Sequence, residues 1–321
     1  MSSGPAEPRS ADDAQAPPVR APIGRSSRLR APLAWAAALA ALALAAAVMG
    51  AGLFAYESTQ RYAPPYEEGD VVLGGIPSET LRLTAADGVH VGAWLFTKPR
   101  AECAFVVVHG NGASRRHMMA PTEAALDLGC HALAVTVRAH GDSEGDTNDF
   151  GYSARLDVAA AVAALKARFP DARRVVFGSS LGAAAALFAA PELGDDVQGY
   201  LLESPYESLE VATRNRIAML APGALVTPIL ALLEVGSGAV LSVPMAEVAP
   251  ARAAARMPDG ARVVVLAGGA DVHATPDEAR HVTEAVPGGA TLEVLPGVAH
   301  SRLWGPYEAV FRRHMAALAA P

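Results

Sequence analysis

The chain has 321 residues, 51% hydrophobic and 18% charged, which is enough apolar material for one large core plus an appendage. Its net charge of −7 offers no basic face to a phosphate backbone, which excludes nucleic acid as a partner. The two cysteines, Cys103 and Cys130, form no C-x-x-C pair, so neither a zinc knuckle nor a disulfide scaffold is indicated.

Residues 1–32 are rich in Pro, Ser, Ala and Arg without apolar periodicity and read as a disordered tail. From Leu33 to Tyr56 the chain runs 24 residues without a charge. As a helix this spans roughly 36 Å, more than the hydrocarbon core of a bilayer requires. Trp35 and Tyr56 stand near its ends, where interfacial aromatics belong. Residues 33–56 are therefore expected to be a transmembrane anchor, with a cleaved signal peptide and a soluble alanine-rich helix as rivals. Arg20, Arg25, Arg28 and Arg30 precede the span, against Arg61 alone close after it. This bias predicts a cytoplasmic N-terminus and a C-terminal domain on the extracytoplasmic side.

Residues 57–76 are a Pro/Gly linker, and from 77 to 321 strand-like and helix-like segments alternate. L-R-L-T and V-H-V-G-A-W-L-F-T flank A-A-D-G, a hairpin signal. A-F-V-V-V (104–108), H-A-L-A-V-T-V-R (131–138) and V-V-F (175–177) are short apolar runs, the mark of strands covered on both faces. Helical patterns fall around Arg115–Leu128, over 152–169 up to Pro170, and over Gly182–Ala190, and further strands are expected at 200–202, 262–267 and 291–295. Such alternation means parallel strands with crossover helices in three layers. Between Glu203 and Arg262 a strongly apolar stretch is broken by Pro222, Pro228 and Glu234. Those breakers count against a second span and favour a helical cap over about 204–250. Its apolar face either lines an acyl pocket or simply covers the core.

The stretch G-S-S-L-G, Gly178 to Gly182, lies between a buried strand and a helix. A G-x-S-x-G turn is sharp enough to need its glycines, and it presents its central residue, here Ser180, at a helix N-terminus where negative charge is favoured. Ser179 occupies the variable position. A serine nucleophile needs a base and an orienting acid, following it in the order acid then histidine. His273, His281, His300 and His314 lie downstream, and only His300 directly follows a strand, in L-E-V-L-P-G-V-A-H-S; it is the expected base. Asp271, in the turn after the 262–267 strand, is the expected acid, with Glu203 as its rival and Asp277 better suited to a first helical turn. After the 104–108 strand comes H-G-N-G, where the backbone N–H of Asn111 can join that of Leu181 in an oxyanion hole.

With these motifs in place the chain resembles the α/β-hydrolase superfamily over about residues 72–318. H-G-N-G, R-A-H-G-D-S-E-G (138–145), G-S-S-L-G, G-G-A-D-V-H-A-T-P and G-V-A-H occur in the family order. It looks most like the membrane-tethered serine hydrolases, in which one N-terminal span precedes the catalytic domain. The resemblance implies an α/β-hydrolase fold, a mostly parallel sheet flanked by helices with a helical cap. It also implies Ser180 as nucleophile, Asp271 as acid, His300 as base, and Asn111 and Leu181 at the oxyanion positions. His140 falls in a structural loop beside the site. Pro276 lies further from the acid than in some members, which blurs the alignment there. In this fold Cys103 and Cys130 open neighbouring strands, within reach of a disulfide, or they are two small buried apolar residues.

The expected activity is hydrolysis of lipophilic carboxylic esters or thioesters through an acyl-enzyme, on a small-molecule or lipid acyl substrate and without metal or organic cofactor. A serine peptidase or amidase is the alternative within the same chemistry. A non-catalytic binding protein is the alternative outside it.

Overall fold

The charge-free run forms one helix, α1 (Ser26–Thr59), extending past both ends of the expected span. Its alanines and leucines are strong helix formers. At its C-terminus the Thr59 hydroxyl and the Gln60 side-chain amide donate to the Tyr56 carbonyl at 2.9 and 3.1 Å, satisfying a carbonyl the ending helix leaves free. The computed structural model describes Met1, Gly4, residues 26–300 and residues 303–321. Most of the tail expected to be disordered therefore lies outside the described residues. Met1–Ala46 and Ala47–Pro321 are separate compact units, so the end of α1 belongs to the second.

Within that unit, β1 (Val72–Leu73) and β2 (Ile76–Pro77) make a small hairpin inside the expected linker. The expected hairpin around Asp87-Gly88 forms between β3 (Glu79–Thr84) and β4 (His90–Phe96). Then come β5 (Cys103–Val108), α2 (Met119–Asp127), β6 (His131–Val135), α3 (Arg155–Arg168), β7 (Arg173–Ser179), α4 (Leu181–Leu193) and β8 (Gly199–Glu203). The cap region carries α5 (Leu209–Leu220), α6 (Gly223–Ser237) and the short α7 (Pro250–Ala254). The chain closes with β9 (Arg262–Gly268), α8 (Pro276–Ala285), β10 (Thr291–Leu295) and α9 (Trp304–Ala319).

Among the described residues the main sheet has eight strands in the order β10-β9-β8-β7-β5-β6-β4-β3. From β10 to β6 every pairing is parallel, while β4 and β3 add antiparallel strands at one edge. Alternation along each strand divides the core between the faces. Ala104, Val106 and Val108 of β5 pack with the α3 and α4 layer, and Phe105 and Val107 with α2 and α9. Both faces being covered, every residue of β5 and β6 is buried, which is why these strands read as unbroken apolar runs.

Two buried arginines fix the R-A-H-G-D-S-E-G loop after β6. Arg138 holds Asp157 of α3 at 2.7 Å and Asp87 of the hairpin turn at 2.6 Å. Arg115 makes a two-pronged contact with Asp142 and also meets Glu68, at 2.6 and 2.8 Å. Removing one partner of such a pair would strand a buried charge, at a cost of roughly 3–5 kcal/mol. Arg61 donates to the Gly141 and Gly145 carbonyls from the other side. Of the two possibilities for the cysteines, the structure has the disulfide: Cys103 and Cys130 are bonded, with a Cα–Cα distance of 4.7 Å.

The apolar cap stretch is two helices, neither long enough to span a bilayer. Ser208 caps α5 through the Val211 N–H at 3.2 Å. The break at Ala221-Pro222 follows from proline, which disfavours helix in the residue before it.

Candidate active site

The elbow between β7 and α4 is built by exclusion of side chains. A Cβ on Gly182 would stand 2.5 Å from the Val108 carbonyl oxygen and 2.7 Å from that of His109, and one on Gly178 would strike the Gly182 backbone. Only glycine lets α4 start this close to the end of β5. Ser180 takes the conformation φ 50°, ψ −108°, a sparsely populated region for a residue with a Cβ and one often found at functional sites. Its N–H donates to the Glu203 carbonyl at 2.8 Å, which ties the strained turn to β8. Alanine predominates along α4, and its residues from Leu181 to Ala190 are all buried; small side chains let the helix lie close on the sheet.

Two loops at the C-terminal edge of the sheet bring the partners. Gly268 and Gly269 turn the chain after β9, and the Ala270 N–H donates to the Val298 carbonyl of the loop after β10 at 2.9 Å, so the loops hold each other. Ser180 Oγ lies 2.9 Å from His300 Nε2, and His300 Nδ1 lies 2.6 Å from Asp271 Oδ2. The second carboxylate oxygen, Oδ1, accepts the N–H groups of His273 and Ala274 at 2.8 and 3.0 Å. Burial works to raise the Asp271 pKa, but the hydrogen bond and charge of His300 and these two N–H groups outweigh it and hold the carboxyl below its ordinary value. An ionised carboxylate only accepts, so the proton between it and His300 sits on Nδ1. Nε2 is then free to accept from the Ser180 hydroxyl, an arrangement able to draw the proton from Ser180 as its oxygen attacks a carbonyl.

Glu203, the rival acid, ends β8 in a buried position and makes no contact of this kind with His300. Burial raises its pKa, against the Ser179 hydroxyl bond and the His300 charge, which lower it. Asp277 lies in the first turn of α8, where it pairs with Arg280 at 2.5 Å; Thr275 and Glu278 cap that helix reciprocally. His281 pairs with Glu207 and His314 with Glu293, each at 2.7 Å. The His273 ring meets that of His300 edge-on, 5.7 Å between centroids, while its hydrogen bond to the reactive groups is the backbone N–H to Asp271.

A Cβ added to Gly110 would lie 3.5 Å from the Ser180 Cβ, which sets the H-G-N-G turn beside the elbow. The Gly112 N–H donates to His140 Nε2 at 3.1 Å, and His140 Nδ1 lies 2.8 Å from the Arg138 carbonyl. His140 thus ties the turn to the R-A-H-G-D-S-E-G loop, its pKa lowered by burial against the pull of that carbonyl. His109, fully buried, accepts the Val137 N–H at 3.1 Å; burial foremost, then the neighbouring His140, push its pKa down to about 3. Both imidazoles are therefore neutral scaffolding. Among the described residues the N–H groups of Asn111 and Leu181 have no protein acceptor, and both residues line one cavity with Ser180. The Asn111 side chain is held aside by Asn148, 2.6 Å from Nδ2 to Oδ1.

That cavity, of about 540 Å³, has an apolar wall from the cap, including Leu209, Ile217, Ile229, Leu233 and Met245. Phe54, Ala55, Ser58 and Thr59 from the end of α1 complete it. The size suits a small-molecule site. Neither the α1 wall nor Arg216, which also lines the cavity, stands out in the sequence. An apolar span gives no sign that its last turns face a cavity, and Arg216 is marked only by being the last charge before the apolar cap run. Among the described residues no group of three or more His, Cys, Asp or Glu side chains is disposed to hold a metal ion.

The model of the alpha/beta hydrolase family matches residues 105–313. No curated protein matches the chain by sequence. Among solved structures, an esterase from Pyrococcus furiosus superposes with a TM-score of 0.64 at 22% identity, covering 79% of this chain and 96% of that one. An esterase from Exiguobacterium antarcticum gives 0.55 at 15% identity over 75% and 99% of the two chains. A hydrolase from Pseudomonas aeruginosa gives 0.56 at 18% over 76% and 99%. At these identities the structures attest the fold, and the family match, which includes the elbow, β9 and the loop after β10, carries the assignment: this chain belongs to the alpha/beta hydrolase family.

Proposed function

We propose that the protein is a membrane-anchored serine hydrolase that cleaves carboxylic esters or thioesters of lipophilic acyl groups. The observation that carries this reading is the unbroken hydrogen-bonded series Asp271–His300–Ser180 opening into a largely apolar cavity. In this reading Ser180 attacks the acyl carbonyl while His300 takes its proton, and Asp271 stabilises the imidazolium that forms. The N–H groups of Asn111 and Leu181 hold the oxyanion, worth roughly 3–4 kcal/mol of barrier for each donor. His300 returns the proton to the departing alcohol or thiol, then activates the water that releases the acid.

Residues 33–56 act as the anchor, residues 57–76 link it to the hydrolase domain at 77–321, and about 204–250 form the cap. The long apolar helix, the one such helix among the described residues, supports the anchor. The arginines ahead of it favour a cytoplasmic N-terminus, and the Cys103–Cys130 disulfide accords with a domain on the oxidising side.

The test is labelling of the full chain, in lipid nanodiscs, with a fluorophosphonate probe, the modified residue being mapped by mass spectrometry. The full chain is needed because Phe54 to Thr59 wall the cavity. Labelling should fall on Ser180, vanish in Ser180→Ala and persist in Ser179→Ala. Equal loss in the two variants, or none in either, would sink the assignment of the nucleophile.

A further inference from the structure

The cap walls of the cavity that holds Ser180 are mostly apolar, with hydroxyls from Thr213 and Ser237 and one charged residue in the described lining. Arg216, on the third turn of α5, lines it together with Ser180, Leu181 and Asn111. Its Nη1 donates to the Ala212 carbonyl of its own helix at 2.7 Å. Among the described residues no carboxylate lies within ion-pair distance of it. Its neighbour Arg214 is paired with Glu210 at 3.2 Å, and the buried Arg115 and Arg138 each meet two acids.

The acids nearest in electrostatic reach, Asp271 and Glu278, have their oxygens engaged elsewhere. Asp271 serves His300, His273 and Ala274. Glu278 serves Asn215, Thr275 and the Glu207 N–H. A guanidinium carries five N–H donors, and the described contacts of Arg216 use one. Partial enclosure lowers its pKa, against the pull of Glu278, Asp271 and Tyr206, yet an arginine stays charged at any physiological pH. Arg216 is exposed to solvent as well as to the cavity, and a cation at the edge of a largely apolar wall, with no carboxylate paired to it among the described residues, is poised for an anion brought by the ligand.

We infer that Arg216 is a specificity residue that binds an anionic group, a phosphate or a carboxylate, carried by the lipophilic ester that occupies the cavity. The substrate class is thereby narrowed from acyl esters in general to anionic amphiphiles, with the hydrocarbon against the cap and the end of α1 and the charge at the guanidinium. The inference deepens the esterase reading and rests on it for the word substrate, whereas the binding claim stands by itself. A planar guanidinium takes either anion through two parallel hydrogen bonds. The charge can sit in the alcohol portion or in the acyl portion of the ester.

Binding is tested in the full chain carrying Ser180→Ala, in phosphatidylcholine nanodiscs, so that nothing is consumed. Two matched pairs of probes separate the sources of charge: oleoyl lysophosphatidate against 1-oleoylglycerol, and mono-octyl succinate against octyl butanoate. Loss of charged hydrogen bonds should weaken at least one anionic probe by about tenfold or more relative to its neutral partner in Arg216→Gln. Arg216→Lys, which keeps a point charge without the fork, should fall between. Which pair responds tells whether the anion lies in the alcohol or in the acyl part. If Arg216→Gln shifts the charged and neutral members of both pairs by the same factor, Arg216 is merely balancing Asp271 and Glu278, and the inference fails. The same probes offered to the chain with Ser180 intact keep the two readings apart. Charge-selective binding that depends on Arg216, with no ester turned over and no fluorophosphonate labelling, upholds the anion site and overturns the hydrolase.

Discussion

Gly182→Ala isolates the geometry of the elbow from its chemistry, because it touches none of the hydrogen-bonding atoms. Gly182 does not have a positive φ, so alanine is allowed by the backbone and is even favoured in a helix by up to about 1 kcal/mol. The obstacle is space. The new Cβ would sit 2.5 Å from the Val108 carbonyl oxygen and 2.7 Å from that of His109, where ordinary contact begins near 3.4 Å. Both obstacles are backbone at the end of β5, a strand paired on both sides, so relief means moving either the start of α4 or the end of β5 by most of an ångström. Overpacking of this kind costs about 1–3 kcal/mol, partly offset by the helix preference, and the net loss of stability should be no more than about 2 kcal/mol. Function should suffer more. The displaced segments carry Leu181 on one side and lead into Asn111 on the other, and a misplacement near 1 Å in a catalytic array costs about 10²-fold in rate. The assay is the second-order rate of fluorophosphonate labelling at Ser180, beside a denaturant titration. Gly260→Ala, where an added Cβ meets nothing within 4 Å, serves as the neutral control. A Gly182→Ala protein that labels within about threefold of the wild-type rate would refute the claim that close approach of α4 to β5 sets the reactive geometry.

Two further outcomes rest on conformation and covalent linkage. Ser180→Gly and Ser180→Ala both remove the hydroxyl, but at φ 50°, ψ −108° only glycine escapes the strain. Ser180→Gly should therefore unfold with about 1 kcal/mol more stability than Ser180→Ala; equal stabilities would mean the elbow is not strained at this residue. The Cys103–Cys130 bridge closes a loop with a sequence separation of 27, for which restriction of the unfolded chain is worth about 3–4 kcal/mol. The Cys103→Ala/Cys130→Ala double variant should lose that much in denaturant titrations, and a loss under about 1 kcal/mol would contradict the loop-entropy account.

The parts legible in the sequence share one property: their signal is local. β5, β6 and β7 are apolar runs because both faces of the sheet are covered, and the elbow is marked by glycines only four positions apart. His300 and Asp271 stand apart from the other candidates because each lies just after a strand, and the C-terminal edge of a parallel sheet gathers the loops that leave its strands. Asp277 is kept apart from the site by the reciprocal cap of α8, which the Thr-Pro-Asp-Glu run encodes. Contacts between distant segments left no such mark. The pairing of Arg115 with Asp142 and Glu68, the hydrogen bond from Asn148 to Asn111, and the tie from Gly112 to His140 join residues separated by 27 to 47, 37 and 28 positions. No periodicity records them. Charged residues bound for the interior, such as Arg115, look the same in sequence as charged residues bound for solvent, and Arg216 and Arg214 differ only in what the fold sets beside them, a cavity for the one and Glu210 for the other.

The end of α1 is the clearest case of a segment with two demands on it. Gly236 of α6 comes so near α1 that an added Cβ would stand 2.6 Å from the Gly52 N atom, with Gly52 and Ala51 backbone atoms within 2.9 Å. Backbones meet this closely only where both helices lack side chains. Here α6 is therefore seated directly on α1, and no intervening side chain can repack to let one slide on the other. Within the next two turns, Phe54, Ala55, Ser58 and Thr59 face the cavity that holds Ser180. The Thr59 carbonyl then accepts the Asn148 N–H at 2.7 Å, and Asn148 holds the side chain of Asn111. A single helix end thus supports the cap, walls the cavity that holds Ser180 and braces the turn that carries Asn111. An anchor joined to its domain by a loose tether would need none of these contacts. Their concentration in residues 52–59 makes the last turns of α1 part of the site itself.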